Sequence, residues 1–531
     1  MLKEFKNVSV NYEADAIIEI NDKKYKIHDC VDGEDILVEI DGKYPKLSKV
    51  LKPSKYRIND GCKYQKECGG CQFMHISYDY ELELKKKYLQ DLFKPFRSVK
   101  DIDVISMFEP LHYRNKAQMT YKLSKTKQVV CGFYEEYSHR IVTVNDCMLQ
   151  ANMANNLIKD LNNVLSKHKI KPYDEKTRDG VLRHVFVRYG FNTKELMLVI
   201  VTNGEMFPGR NNVVKDLLKT NQNITTIVQN YNARDTSIVL GDSQKVLYGP
   251  GFIYEKVGNY KFKISPKSFF QVNTLGMKKL YDTALSKADI KPTDIVLDAY
   301  CGVGTISIFA SKYAKEVIGV ELNRQAVNDA KINAKLNNIT NIDFIADDAT
   351  NYITHAAKNR EKIDVVIMDP PREGSTKQFI NAIGYLKPRQ VIYISCDPIT
   401  LKRDLYLFLD NEYEIKSITG VDMFSRTKHV ETVTLLQRKD IDDRLKVRFD
   451  LENLPLVKEE TKATYQEIKD YIYNKYNVKV STLNIAQTKT KYGIIERECY
   501  NKPKDDDSRQ PKCTREKEEM IIDALKHFNM L

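Results

Sequence analysis

Ile295-Val296-Leu297-Asp298-Ala299-Tyr300-Cys301-Gly302-Val303-Gly304-Thr305 is the stretch on which the fold turns. It reads as an apolar strand that runs into a glycine turn and opens a helix. Glycine at such a turn lets a ligand come close to the backbone. From about residue 273 to 435, strand, turn and helix alternate. Strands are expected at 294–298, 316–320, 342–345, 364–368 and 391–395, forming a parallel sheet with helices on both faces. The glycine turn alone also fits dinucleotide binders. The strand ends separate the two. Glu321 closes the second strand about twenty residues on, where a carboxylate can accept both hydroxyls of a ribose. Asp347-Asp348 and Asp369-Pro370-Pro371-Arg372 close the third and fourth. Acidic residues at successive strand ends, without a full G-x-G-x-x-G, point to an S-adenosylmethionine site in one crevice.

Outward from this core the rhythm changes. Residues 1–58 read as short strands punctuated by Asn21-Asp22, Asp32-Gly33 and Asp41-Gly42, which fits a small antiparallel β-barrel. Residues 59–265 read as a central antiparallel α+β domain, with strands near 181–189, 196–202 and 225–229 and a helix at 151–167. Residues 266–438 carry the alternating α/β pattern. Residues 439–531 are a lysine-rich extension with helices at 465–476 and 516–528 around a polar stretch, KPKDDDSRQPKC. Tyr465, Ile468, Ile472 and Tyr476 share one face of the first of these helices.

Composition narrows the partners. The 531 residues carry 84 Lys and Arg against 72 Asp and Glu, a formal charge of +12, which favours a polyanion such as nucleic acid. The 32 tyrosines and 20 phenylalanines supply faces on which bases could stack. No window is apolar enough to span a bilayer and no secretory leader is evident, so a cytoplasmic protein is expected. Its ten cysteines are then expected as thiols, with clustered ones as metal or catalytic candidates.

Two cysteine features follow. Cys396, in Ile394-Ser395-Cys396-Asp397-Pro398, ends the fifth strand beside the crevice. A thiol there suits carbon methylation of a pyrimidine. Addition of a thiolate at C6 makes C5 nucleophilic enough to take a methyl group. The C5 proton must then leave to a base, for which Glu431 in Lys428-His429-Val430-Glu431-Thr432-Val433 is the candidate. Separately, Cys62-x5-Cys68-x2-Cys71 can ligate zinc or an iron–sulfur cluster, given a fourth ligand. Cys147 is the first choice, with Cys131 and Cys30 as competitors.

DAYCGVGTI, DPPREG, YISCDPITLKRDL and DMFSRTKHVETV, preceded by FKISPKSFFQVN at 262–273, resemble the RNA uracil-5-methyltransferase family over residues 60–436. The resemblance implies a Rossmann-like S-adenosylmethionine methyltransferase domain. It implies that Cys396 is the nucleophile and Glu431 the proton acceptor. It implies cofactor contacts from Gln271, Tyr300, Glu321 and Asp369, with Thr305 and Asp348 at further contact positions. It puts Phe269 near the target base and His112-Tyr113-Arg114-Asn115-Lys116 against RNA, with Arg114 and Lys116 as the contacts. It also tips the cysteine cluster to a [4Fe–4S] centre on Cys62, Cys68, Cys71 and Cys147, hence to the 23S rRNA branch. A tRNA T-loop enzyme is the alternative. Asp397 stands where the family commonly has Asn. Residues 1–58 match the family's TRAM barrel only at Asp32-Gly33-Glu34. Two rivals are an exocyclic-amine methyltransferase, which would leave the Cys396 thiol idle, and a non-catalytic RNA-binding or ribosome-assembly protein. Nothing in the sequence calls for an obligate protein partner.

Overall fold

The structure, a computed structural model, describes residues 1–40, 45–59, 61–135, 138, 140–234, 238–439, 465–492, 514–528 and 530. The chain folds as two units, 1–447 and 448–531.

At the N-terminus Leu2–Val8, Glu34–Glu39 and Lys46–Lys52 make a three-stranded antiparallel sheet, and Ala16–Ile20 pairs with Lys23–Ile27 as a hairpin. Ala16, Ile18 and Ile20 point inward while Ile17 and Glu19 face water, the period of two that a half-covered strand requires. The expected barrel is therefore a sheet and a separate hairpin around one core of Val8, Ile18, Ile27, Ile36 and Val38.

The central sheet has seven strands, in the order Ser243–Tyr248, Ile224–Tyr231, Leu196–Thr202, Leu182–Tyr189, Lys116–Leu123, Val129–Tyr134, Ile141–Thr143. It departs from the expected all-antiparallel pattern at one pair. Leu196–Thr202 and Ile224–Tyr231 run parallel because helix Arg210–Thr220 carries the chain back over the sheet. Helix Asn152–Lys167 buries Ala154, Leu157, Ile158, Leu161 and Leu165 on the same face.

The catalytic sheet contains β1 (Ile295–Ala299), β2 (Glu316–Glu321), β3 (Ile342–Ala346), β4 (Val365–Met368), β5 (Gln390–Ser395), β6 (Tyr413–Val421) and β7 (Glu431–Arg438). Their order is 3-2-1-4-5-7-6, and β7 alone runs antiparallel to its neighbours β5 and β6. Every residue of β4 and β5 is buried, as strands covered on both faces must be. Strand order reverses between β1 and β4, which opens a ligand crevice at their carboxyl ends.

Part of the stretch read as central domain belongs to this sheet's packing. Val104–Ile105 adds an eighth strand beside Gly420 and Val421 of β6. Leu89 and Phe93 of helix Tyr78–Phe93 share a core with Phe379, Val391 and Tyr393.

In the second unit, helices Tyr465–Tyr476, Thr482–Lys491 and Arg515–His527 enclose Ile468, Ile472, Ile485, Ile521 and Leu525. The middle helix was not expected from the sequence. Of the shared face, Ile468 and Ile472 are fully buried. The polar stretch 502–513, with Cys499 and Cys513, lies outside the described residues. Among the described residues no helix is long and apolar enough to cross a membrane.

Candidate active site

Four strand ends build the site. β5 pairs with β7 up to Ser395 opposite Thr432, and Thr432 Oγ1 donates to the Ser395 carbonyl at 3.1 Å. The neighbouring residues, Cys396 and Glu431, therefore lie side by side at the carboxyl end of β5. Asp369 follows β4, its N–H 3.5 Å from the carbonyl of Ala299 at the end of β1. Arg372 comes three residues later in the same turn. Thus a thiol, two carboxyls and a guanidinium share one edge of the sheet.

The electrostatics of this group are unusual. Burial, then the charges of Glu431 and Asp369, pushes the Cys396 thiol up to about 11, while Arg372 pulls it down by its charge and a hydrogen bond. Glu431 is buried, and desolvation with the Asp369 charge holds its carboxyl well above the usual range, again opposed by Arg372. Burial raises Asp369 to about 7. A buried carboxyl raised in this way is a stronger base than an exposed one. Arg372 was visible in the DPPREG motif, but nothing in the sequence tied it to the thiol.

The cofactor crevice lies on the β1 side. Tyr300 turns the chain at φ 67° and Gly302 at 56°. A side chain at Gly302 would meet nothing within 4 Å, so the turn opens into space. Gly304 is confined instead: at φ +77° an added Cβ would meet the Phe344 ring at 2.6 Å. Glu321 reaches across from β2, accepting the Gly302 N–H at 3.1 Å and the Asn323 N–H at 2.8 Å. Tyr300 packs on Phe379 and its hydroxyl lies 3.4 Å from Ser375 Oγ. Thr305 begins the next helix, buried, 3.4 Å from the Tyr281 hydroxyl. Asp348 caps helix Ala349–Asn359, accepting from Thr350 and Asn351 at 2.8 and 3.0 Å. That cap occupies one of its two carboxyl oxygens, a structural duty the sequence reading did not assign. Asp298 was not singled out from the sequence. It is fully buried on β1, accepts from Ser307 with one oxygen, leaves the other unpartnered, and rises to about 8 through desolvation.

The Ser265–Asn273 segment is tied to the helix after β2, where Ser268 Oγ donates to Asp329 Oδ2 at 2.7 Å. Asn115 Nδ2 donates to the Gln271 carbonyl at 2.9 Å and to Thr274 Oγ1 at 3.1 Å. Gln271 is buried, whereas Phe269 is 67% exposed, a large apolar cost unless something covers it. Arg114 is half-buried and flanks Cys71, Cys147 and His429 closely enough to perturb all three. Lys116 lies on the strand Lys116–Leu123, half-buried, its ammonium 5.1 Å from the Phe186 ring centroid. It is thus not the solvated strand-edge lysine that the bare sequence permits.

A buried ion network holds the 422–430 loop that delivers Glu431. Lys85 Nζ donates to Glu81 Oε1 at 2.8 Å and to Asp422 Oδ1 at 2.5 Å. The Arg426 N–H donates to Glu81 Oε1 at 2.7 Å, and its guanidinium to the Ile76 carbonyl at 2.8 Å. The Tyr113 hydroxyl donates to the Ser425 carbonyl at 3.0 Å. Burying such charges is tolerable only because each is paired.

Cys62, Cys68, Cys71 and Cys147 line one cavity with Tyr64, Met74, Phe133 and Leu149. Helix Gln65–Cys68 ends at Gly69 in the left-handed region, which turns Cys71 back beside Cys62 and Cys68. The competitors are elsewhere: Cys131 is sealed in the central core and Cys30 in the N-terminal one. All four cavity cysteines are free thiols. Desolvation raises Cys68, Cys71 and Cys147, and their mutual charge adds to it. Among the described residues no three His, Cys, Asp or Glu side chains converge as a single metal ion demands. Four thiolates are the donor chemistry that an iron–sulfur cluster would need, and these four cysteines line one cavity.

Known proteins agree with this architecture. The profile of the tRNA (uracil-5-)-methyltransferase family matches residues 209–439. An uncharacterised RNA methyltransferase of Oceanobacillus iheyensis is 40% identical over 400 residues, covering 75% of this chain and 86% of the relative. One of Clostridium tetani is 37% identical over 432 residues, covering 80% and 94%. The crystal structure of Pyrococcus abyssi tRNA (uracil-54, C5)-methyltransferase with S-adenosyl-L-homocysteine superposes with a TM-score of 0.65 at 25% identity, covering 82% of this chain and all of that one. With its sheet order, its crevice and these relatives, the chain belongs to the RNA (uracil-5-)-methyltransferase family and is an S-adenosylmethionine-dependent RNA methyltransferase.

Proposed function

We propose that the protein methylates C5 of a uridine in 23S rRNA. The observation that carries the chemistry is the juxtaposition of Cys396, Glu431, Asp369 and Arg372 at one sheet edge. S-adenosylmethionine supplies an electrophilic methyl on a sulfonium, held by Gln271, Tyr300, Thr305, Glu321, Asp348 and Asp369. Arg372 steadies the Cys396 thiolate. The sulfur adds to uracil C6, and the electron pair displaced from the C5–C6 bond makes C5 the nucleophile that takes the methyl group. Glu431, as the carboxylate, then accepts the C5 proton. The electrons of that C–H bond restore the C5–C6 bond and expel the thiolate. Sulfur on one face and methyl on the other require the base to leave its stack, with exposed Phe269 as the aromatic beside it.

The choice of 23S rRNA rests on the four-thiol cavity. We assign it a [4Fe–4S] centre on Cys62, Cys68, Cys71 and Cys147, the mark of the ribosomal branch. The reaction transfers no electrons, so the group's part is structural. The Cys71-adjacent Gln72 accepts the Lys428 N–H at 3.2 Å, which links that segment to the loop before Glu431. The likeness to a tRNA (uracil-54, C5)-methyltransferase favours tRNA as the second reading. Nucleoside mass mapping separates the two: anaerobically purified protein, S-adenosylmethionine, and unmodified 23S rRNA or tRNA in separate reactions. 5-Methyluridine in 23S rRNA alone supports the proposal. 5-Methyluridine in tRNA alone keeps the chemistry and rejects the substrate.

A further inference from the structure

The second unit closes its own core and lies beyond the residues that the family profile matches. Within it, residues 471–492 hold four lysines and four tyrosines and no Asp or Glu. Two of these lysines meet carboxylates of helix Arg515–His527: Lys475 lies 2.8 Å from Asp523 and Lys491 2.5 Å from Glu518. Lys489 is buried, its ammonium 4.6 Å from the Tyr465 ring centroid. Lys479 is different. It is exposed, and its ammonium stands 6.0 Å from the centroid of Tyr473, a ring 47% exposed. Lys469 lies one helical turn before Tyr473 on the same face. Its ammonium donates to Thr482 Oγ1 at 2.7 Å, which brings the start of helix Thr482–Lys491 to that side. Among the described residues no carboxylate pairs with Lys469 or Lys479. The acid nearest in sequence, Asp470, accepts from Gln466 Nε2 at 2.8 Å. A lone exposed ring is ordinary. An exposed ring with two ammoniums and a hydroxyl beside it, and no anion, has the chemistry of a base-stacking face set among phosphate contacts.

We propose that the stripe of Lys469, Tyr473, Lys479 and Thr482 is an accessory site for single-stranded RNA, separate from the methyltransfer site. A base stacks on Tyr473, and Lys479 and Lys469 meet the phosphates on either side of it. Stacking on a tyrosine is indifferent to which base is offered, so the site adds affinity without choosing the target uridine. Charge complementarity favours RNA as the occupant: the stripe is cationic, the whole chain carries +12, and the chain is an RNA methyltransferase. The proposal rests on RNA as the substrate and is independent of which RNA is methylated.

The experiment follows, by fluorescence anisotropy across salt concentrations, the binding of a labelled oligoadenylate of about twenty nucleotides, which offers the active site no uridine. The proteins are full-length wild type, Y473A, Y473F and K479Q, with thermal melting and S-adenosylmethionine affinity measured alongside. Y473A should bind the oligoadenylate about fivefold or more weakly, the loss of one stacked base. Y473F should bind as wild type does, because stacking needs the ring and not the hydroxyl. K479Q should bind more weakly, with the salt slope reduced by about 0.7 to 1. Melting and cofactor affinity should be unchanged in all three. Wild-type affinity and slope in both Y473A and K479Q overturn the proposal and leave the stripe to a protein partner. A loss in Y473A that Y473F shares, or that a fall in melting accompanies, also overturns it and assigns the tyrosine to packing. Wild-type protein that forms no 5-methyluridine, while the variants show the expected losses, rejects the uridine reading and keeps the accessory site.

Discussion

Replacing Arg372 by methionine should cripple the Cys396 thiolate without touching the fold. The thiol stands near 11 because burial, Glu431 and Asp369 all oppose ionisation, and Arg372 alone among the named neighbours favours it. At pH 8 about one such thiol in a thousand is ionised, and the fraction grows tenfold per pH unit. A hydrogen bond to a charged group contributes about 1.5–3 kcal/mol net. At about 1.4 kcal/mol per pKa unit, its loss raises the thiol by roughly one to two units. The thiolate population at pH 8, and any rate that depends on it, should then fall about tenfold to a hundredfold. The assay is iodoacetamide alkylation of Cys396 as a function of pH, followed by mass spectrometry of the peptide that carries it. Wild type should show a log rate rising by one per pH unit up to about pH 10. R372M should run parallel and lower, and R372K should recover part of the loss. Equal rates in wild type and R372M, or a profile flat in pH, would refute the assignment of Arg372.

Glu431→Gln should let the covalent RNA adduct accumulate, because an amide cannot take the C5 proton; turnover should fall by about 10²–10⁴, and normal turnover would send the search to another base. Cofactor binding should release protons. Asp369 and Asp298, near 7 and 8 in the ligand-free protein, favour ionisation beside a sulfonium cation, so affinity should rise between about pH 6 and 8; calorimetry in buffers of different ionisation enthalpy reads this, and proton uptake would contradict it. The same groups set a stability trend. Their folded values lie above the unfolded 3.8, so the native state keeps protons that the unfolded chain has shed, and ligand-free stability should decline as pH rises from about 4 to 8. Gly304→Ala should cost about 1–3 kcal/mol in denaturant titration, through its left-handed backbone and the Phe344 ring; a neutral result would show that the turn relaxes freely.

What could be read from the sequence was local. The strand-end residues Tyr300, Glu321, Asp369 and Cys396 follow directly from an alternation of apolar runs and turns, and each emerges at the expected edge. The β5–β7 pairing that sets Glu431 beside Cys396 is not local; the need for a base and the family resemblance named Glu431, but no local pattern placed it there. Contacts between distant segments left no periodic signal. The Lys85–Asp422 pair spans 337 positions, and Val104–Ile105 joins β6 from across the chain. The single parallel pair in the central sheet was missed because helix Arg210–Thr220 is short and polar at its exposed face. Arg188 looked like an ordinary strand charge until the register set it opposite Lys116.

The measurement closest to the central claim is covalent trapping. Wild type, C396A and E431Q would be mixed with S-adenosylmethionine and RNA in which uridine is replaced by 5-fluorouridine, whose C5 fluorine cannot leave as a proton does. The account predicts a denaturation-resistant protein–RNA adduct for wild type and E431Q, mapped by peptide mass spectrometry to Cys396, and none for C396A. An adduct that forms equally in C396A, or none in wild type with both substrates bound, would contradict it.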